Sequence, residues 1–276
     1  MEVAIEYFSI FGGLDIKVNT TLSLEDSIQN LILDDYRYLR NIMTDLTSND
    51  PLLLSILSGA ALGDRRTNSS FRRAKVSFAT GMECVEELCD MGVISLEKSL
   101  QHLINQSGYG DVSKKILFKN PFVRFWFAFI SPIFKGVRDG NYEEFYKEFQ
   151  NRKSQFFELI FQELSMEFLK QQFKNEEISQ VGRYWDEYID IDMIIKTNSG
   201  KIIVANSKYT NNKLKKAELT KLQKDCETID LKVDIFALFS KKGYSNELKS
   251  LKGDGLKLYT IKSLKALKQF RYNIIK

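Results

Sequence analysis

Apolar residues recur every three or four positions across LEDSIQNLILDDYRYLRNIMTDL (24–46), the spacing that turns one stripe of an α-helix toward a core. Asn49-Asp50-Pro51 reads as a stop followed by a new start, with Pro51 near the first helical position, where its missing N–H is no loss. Three more helical stretches are predicted at 52–62, 67–76 and about 80–91, the last closed by Met91-Gly92. Residues 93–96 are a short strand candidate. After a polar loop around Asn105–Ser113, KKILFKNP (114–121) reads as a second strand that ends at a proline. Residues 121–150 predict a helix broken at Pro132, a glycine-containing turn and a second helix, burying Phe122, Phe125, Trp126, Phe129 and Phe134.

From residue 155 the pattern changes to a helix followed by alternating strands and helices. QFFELIFQELSMEFLKQQF (155–173) has one apolar helical face, and VGRYW (181–185), DIDMIIKT (190–197) and KIIVANSKY (201–209) read as strands. Asn198-Ser199-Gly200 between the last two is a hairpin turn. A basic amphipathic helix is predicted at 214–228, strands at 233–240 and 256–260, and a terminal helix after them. The fold class is therefore α+β, with a helical N-terminal domain (1–120), an aromatic helical connector (121–154) and an α/β domain with a central mixed sheet (155–276). The α-β-β-β-α-β order of the last part is that of the restriction-endonuclease-like fold, and three helices followed by a two-stranded ribbon is the layout of a winged helix.

Composition narrows the function. Gly and Pro together number 18 of 276 residues, so a long low-complexity region is not expected. The first residues carry Glu2, Glu6 and Asp15 without a basic lead-in, and Phe125–Phe134 is too short to span a bilayer, so a soluble cytoplasmic protein without membrane contact is expected. Cys84, Cys89 and Cys226 with one histidine, His102, do not make a structural zinc site, and buried free thiols are expected. The net charge of +4 hides an asymmetry: residues 208–276 hold 17 Lys or Arg against 7 Asp or Glu. That balance suits a polyanion such as DNA, with Lys213, Lys215 and Lys216 as contacts, although spaced lysines are also ordinary solvated surface. In the winged-helix layout the third helix carries Glu83, Glu86, Glu87 and Asp90 and no cation, so Arg72 and Arg73 are the better phosphate candidates there. Such modules also bind other proteins.

The polar residues within the sheet pattern point to one chemistry. Residues two apart in a strand share a face, which pairs Asp190 with Asp192 and Asn206 with Lys208. Cleavage of a phosphodiester needs hard oxygen ligands for Mg²⁺ or Mn²⁺ and a cation near the attacking water. Asp192 and Lys208 supply one of each, Glu158 adds a carboxylate from the preceding helix, and Asn206 and Asp190 are further oxygen donors. The plain alternative is an ion pair on a hairpin. Arg183 is a candidate phosphate contact, or a salt-bridge partner of Asp186 or Glu187. No nucleophile motif surrounds His102.

KILFKNPFVRFWFAFISP (115–132), FFELIFQEL (156–164), VGRYW, DIDMII (190–195) and ANSKY (205–209) together resemble the C-terminal region that follows the P-loop domain in many archaeal and bacterial AAA-type ATPases. That region, domain-of-unknown-function family 234, is regarded as nuclease-like and of the PD-(D/E)xK superfamily, and the resemblance spans roughly 50–240. It implies a metal-dependent DNA endonuclease or a silent nuclease-fold module that binds DNA or a protein partner. The chain departs from the pattern twice. No G-x-x-x-x-G-K-[ST] is present, so this chain carries no nucleotide-binding domain of that kind. The glutamate of the family's second hairpin strand falls on Asn206, which weakens the metal site or marks a relic.

Overall fold

The Asp50 side chain sets the start of a helix: it accepts the N–H groups of Leu52 at 2.6 Å and Leu53 at 3.3 Å, and Pro51 occupies the first turn. In a computed structural model that describes residues 1–101 and 113–267, the helical elements are α1 (Glu2–Phe11), α2 (Leu24–Ile28), α3 (Tyr36–Leu46), α4 (Pro51–Ala60), α5 (Thr67–Ala74) and α6 (Phe78–Asp90). α1 is an element that periodicity did not reveal. The expected helix over 24–46 is interrupted by a π-helical turn at Gln29–Leu33 before α3 begins. β1 (Ile94–Glu97) and β2 (Lys115–Phe118) follow as an antiparallel ribbon, with Ile94 opposite Phe118 and Glu97 opposite Lys115. His102, most of the expected polar loop and the end of the expected terminal helix lie outside the described residues.

The described chain divides into two compact units. One holds Glu6–Glu97 and Ser113–Phe156; the other holds Met1–Ile5, the segment from Lys98, and the chain from Phe157 onward. In the helical unit, α7 (Pro121–Phe125), a π-helical turn at Trp126–Ile130 and α8 (Phe134–Arg138) lead to α9 (Glu143–Gln172). The two helices expected over the end of 121–150 and over 155–173 are one continuous helix, because Lys153 and Ser154 offer nothing that stops it. Phe125 lies about a ring's width from Phe129, Phe145, Phe149 and Phe156, with centroid separations between 5.5 and 6.2 Å. Phe134 departs from expectation: it opens α8 after Pro132 and is 39% exposed. Arg124 is buried in this aromatic core. Its Nε donates to the Ala61 carbonyl at 3.0 Å, its Nη1 donates to the Phe156 carbonyl at 2.9 Å, and the guanidinium lies 4.2 Å from the Phe156 ring.

In the second unit β3 (Ile178–Trp185), β4 (Asp190–Thr197), β5 (Ile202–Lys208), β6 (Ile235–Ser240) and β7 (Leu256–Thr260) lie side by side in that order. β3, β4 and β5 are antiparallel, and β6 and β7 run parallel to β5. α10 (Lys216–Thr228) makes the crossover from β5 to β6, and α11 (Asn246–Ser250) that from β6 to β7. Gly200, at φ +87°, supplies the left-handed residue of the β4–β5 turn. Ile191, Met193, Ile194 and Ile195 are consecutive or nearly so and all buried, so β4 is covered on both faces. Leu219, Leu222 and Cys226 of α10 pack with Val204 and Leu238 in one cluster. On α9, Phe157 and Phe161 meet the Tyr209 ring and Phe168 meets Phe239 and Tyr259. Cys84 and Cys226 are buried thiols, Cys89 partly so, and burial pushes Cys226 up to about 12. Among the described residues no helix is long and apolar enough to cross a membrane.

Arg124→Met keeps the bulk of the side chain and leaves two buried carbonyls without their donor. The expected cost is about 3 kcal/mol. Urea unfolding followed by Trp126 fluorescence in a Trp185→Phe background measures it; an unchanged midpoint would show that the guanidinium is not needed for the aromatic core.

Candidate functional site at the end of the beta hairpin

The pairing of β4 with β5 runs from Lys196 opposite Ile202 to Met193 opposite Ala205 and ends there, while β5 continues alongside β6 to Lys208. Where the two strands part, side chains take over the backbone groups. The N–H of Asp192 donates to Asn206 Oδ1 at 3.0 Å, and the N–H of Ser207 donates to Asp192 Oδ2 at 2.8 Å. Ser207 Oγ adds a longer bond to the same oxygen at 3.3 Å, and Gln162 Nε2, from α9, donates to Asp192 Oδ1 at 3.0 Å. One turn before Gln162, Glu158 places Oε1 3.8 Å from Lys208 Nζ. That oxygen is buried and accepts no hydrogen bond, whereas the Lys208 side chain is 42% exposed and reaches solvent.

The charges in this cluster are mutually perturbed. Burial raises the pKa of Asp192 most, against the lowering effects of the Ser207 N–H and Lys208; the net direction is up. Glu158 is raised too, first by burial and then by Asp192, with Lys208 pulling the other way. Burial works against the Lys208 ammonium, but Glu158 and Asp192 outweigh it and its pKa lies above the usual lysine value. Two carboxyls short of positive charge beside one ammonium is a set of donors that a hard divalent cation would relieve, and Mg²⁺ is often held through one or two carboxylates with the rest of its shell water. Among the described residues, however, no group of three or more His, Cys, Asp or Glu side chains is placed to hold a metal ion.

The structure thus brings Glu158, Asp192, Asn206 and Lys208 to one end of the hairpin. Asn206 meets the Asp192 backbone, and it is Ser207, between Asn206 and Lys208, that touches the Asp192 carboxylate. Asp190 begins β4 opposite Trp185 and is close enough to act on the charge of Asp192. Arg183 is buried at an irregularity in the β3–β4 pairing and also acts on Asp192, which places it at the cluster. Asp186 serves its own turn, accepting from Tyr188 N and Ile189 N at 2.8 Å each and from Tyr184 Oη at 2.7 Å. Lys213, Lys215 and Lys216 are exposed in the loop after β5 and at the start of α10. Arg72 and Arg73 lie on α5 of the helical unit, where Arg73 Nε donates to the Gly59 carbonyl at 2.6 Å and its Nη2 pairs with Asp64 at 3.4 Å. Sequence reading missed Gln162 and Ser207. The signal for Gln162 was its four-residue spacing from Glu158 on one helix.

Residues 126–222 match the model of a family described as archaeal and bacterial proteins of unknown function. The model is that of domain-of-unknown-function family 234. It is the family that the sequence pieces resemble, and the matched stretch contains Glu158, Gln162, Arg183, Asp192, Asn206 and Lys208. No curated protein and no solved structure shows significant similarity to the chain.

The two carboxyls of the cluster make stability depend on pH. Asp192 and Glu158 have folded pKa values above their unfolded ones, so the folded state binds these protons more tightly. The resulting stability is complete below the unfolded carboxyl values, near pH 4, and is lost as pH rises through the folded values. Thermal melts from pH 4 to 7 should decline less in the double variant Glu158→Gln, Asp192→Asn than in the wild type. Parallel declines would assign the pH dependence to other groups.

Proposed function

We propose that the sheet unit is a divergent nuclease domain of the PD-(D/E)xK type, hydrolysing phosphodiester bonds of DNA with the help of Mg²⁺ or Mn²⁺. The observation that carries this reading is the meeting of Glu158 from α9, Asp192 from β4 and Lys208 from β5 where β4 and β5 part, with Lys208 Nζ 3.8 Å from Glu158. The order helix, three antiparallel strands, helix, parallel strand supports it, being the core arrangement of restriction-endonuclease-like domains. Glu158 and Asp192 are the residues that would hold the cation, with Asn206 and Asp190 as flanking oxygens; when bound, the ion supplies Lewis-acid polarisation of the phosphodiester. Lys208 provides a fixed ammonium beside the reacting phosphate, favouring the negative charge that develops there. Lys213, Lys215 and Lys216 supply positive charge for the phosphate backbone at the sheet unit. In the helical unit, whose three helices and ribbon we read as a winged helix, Arg72 is a separate phosphate candidate.

A second reading, a silent nuclease-fold module that binds DNA or a protein partner, is favoured by one observation. Asn206 Oδ1 already accepts the Asp192 N–H and Asp192 Oδ2 already accepts Ser207, so two oxygens of the site serve the fold.

Nicking of supercoiled plasmid in Mg²⁺ or Mn²⁺ separates the two. The nuclease reading expects cleavage by the wild type and a loss of about 100-fold or more in both Lys208→Ala and Asp192→Ala. No metal-dependent cleavage by the wild type, together with its appearance in Asn206→Glu, would establish the silent module instead.

A further inference from the structure

Gln162 is used by nothing in the reading above, yet it makes the one hydrogen bond that ties α9 to the Asp192 carboxylate. The two carboxylate oxygens are held differently. Oδ2 takes two donors from Ser207, both on β5, whereas Oδ1 takes a single donor, the neutral amide of Gln162 at 3.0 Å. A carboxylate oxygen has two lone pairs, so Oδ1 keeps one for a further partner and Oδ2 does not. Gln162 and Ser207 stand on different elements, so their donors together hold the carboxylate in one plane.

Gln162 also stands at a chemically informative place. It lies one helical turn beyond Glu158 on α9 and donates to Asp192, so the helix brings both residues to the cluster while Gln162 carries no charge itself. With Asn206 it makes a second neutral amide in contact with Asp192, where a third acid would otherwise complete a three-carboxylate group.

We propose that Gln162 is the positioning residue of this site: it fixes the plane of the Asp192 carboxylate and leaves Oδ1 as the oxygen offered to a divalent cation. The inference rests on the metal-dependent reading given above. Residues that orient a ligand from behind are expected to change metal affinity about 10-fold or more when removed. A carboxylate at the same position would lie against Asp192 and join it around a cation.

The test is Mn²⁺ binding to the full chain, followed by electron paramagnetic resonance of the free ion, with circular dichroism melts as a check on folding. Four proteins are compared: wild type, Gln162→Met, Gln162→Glu and Asp192→Asn. The expected result is binding by the wild type, about 10-fold weaker binding by Gln162→Met, loss in Asp192→Asn, and tighter binding by Gln162→Glu than by Gln162→Met. Tighter binding by Gln162→Glu than by Gln162→Met is the outcome that a purely structural role does not produce, because both variants lose the amide donor and only Glu adds an oxygen ligand at the site. Equal affinities of wild type and Gln162→Met, or binding by Gln162→Glu no tighter than by Gln162→Met, would overturn the role of Gln162 while leaving the metal site standing. No binding by the wild type would overturn both.

Discussion

The sheet unit depends on how two neighbouring strands are allowed to separate without leaving backbone groups unpaired. β5 must leave β4 to run on beside β6, and the β4–β5 pairing ends at Met193 and Ala205, just before Asp192 and Ser207. The side chains of Asn206 and Asp192 accept from the N–H groups of these two residues, each strand lending an acceptor to the other. A buried N–H without a partner costs on the order of 1–3 kcal/mol, so this reciprocal pair secures the branch point of the sheet. It also gathers the polar groups of the site: Asp192 is where it is because the strand end needs an acceptor, and Glu158, Gln162 and Lys208 surround it.

Much of this was legible in the sequence. DIDMIIKT and KIIVANSKY gave strands within a residue or so of those found, because a central strand covered on both faces is a dense run of β-branched and apolar residues and the turn between the two carries Gly200. Asp50-Pro51 marked a helix start because capping is written in a few adjacent residues. Less legible were features set by tertiary packing. Nothing local in Lys153-Ser154 distinguishes one long helix from two short ones, and no residue type marks where a π-helical turn such as Gln29–Leu33 takes up an extra residue. The exposure of Phe134 follows from how the chain turns after Pro132, which composition does not report.

The candidate site was legible as a list more than as an arrangement. Strand alternation put Asn206 and Lys208 together, but the contact with Asp192 is made by Ser207, since the strands have already parted at that point and the face rule no longer describes who meets whom. Gln162 is invisible to strand reasoning because it comes from α9. The buried guanidinium of Arg124 was hidden for a similar reason: a charged residue inside FVRFWFAF looks like a break in an apolar helix until its two carbonyl partners are seen.

The hydrogen bond accepted by Asn206 also bears on reversibility. An amide that had merely replaced a carboxylate could be replaced again at no cost to the fold. This one has been recruited into the strand junction, and a longer acidic side chain there must either go on accepting the Asp192 N–H or leave it unsatisfied. Placing an acid at this position therefore alters the strand junction as well as the charge of the site.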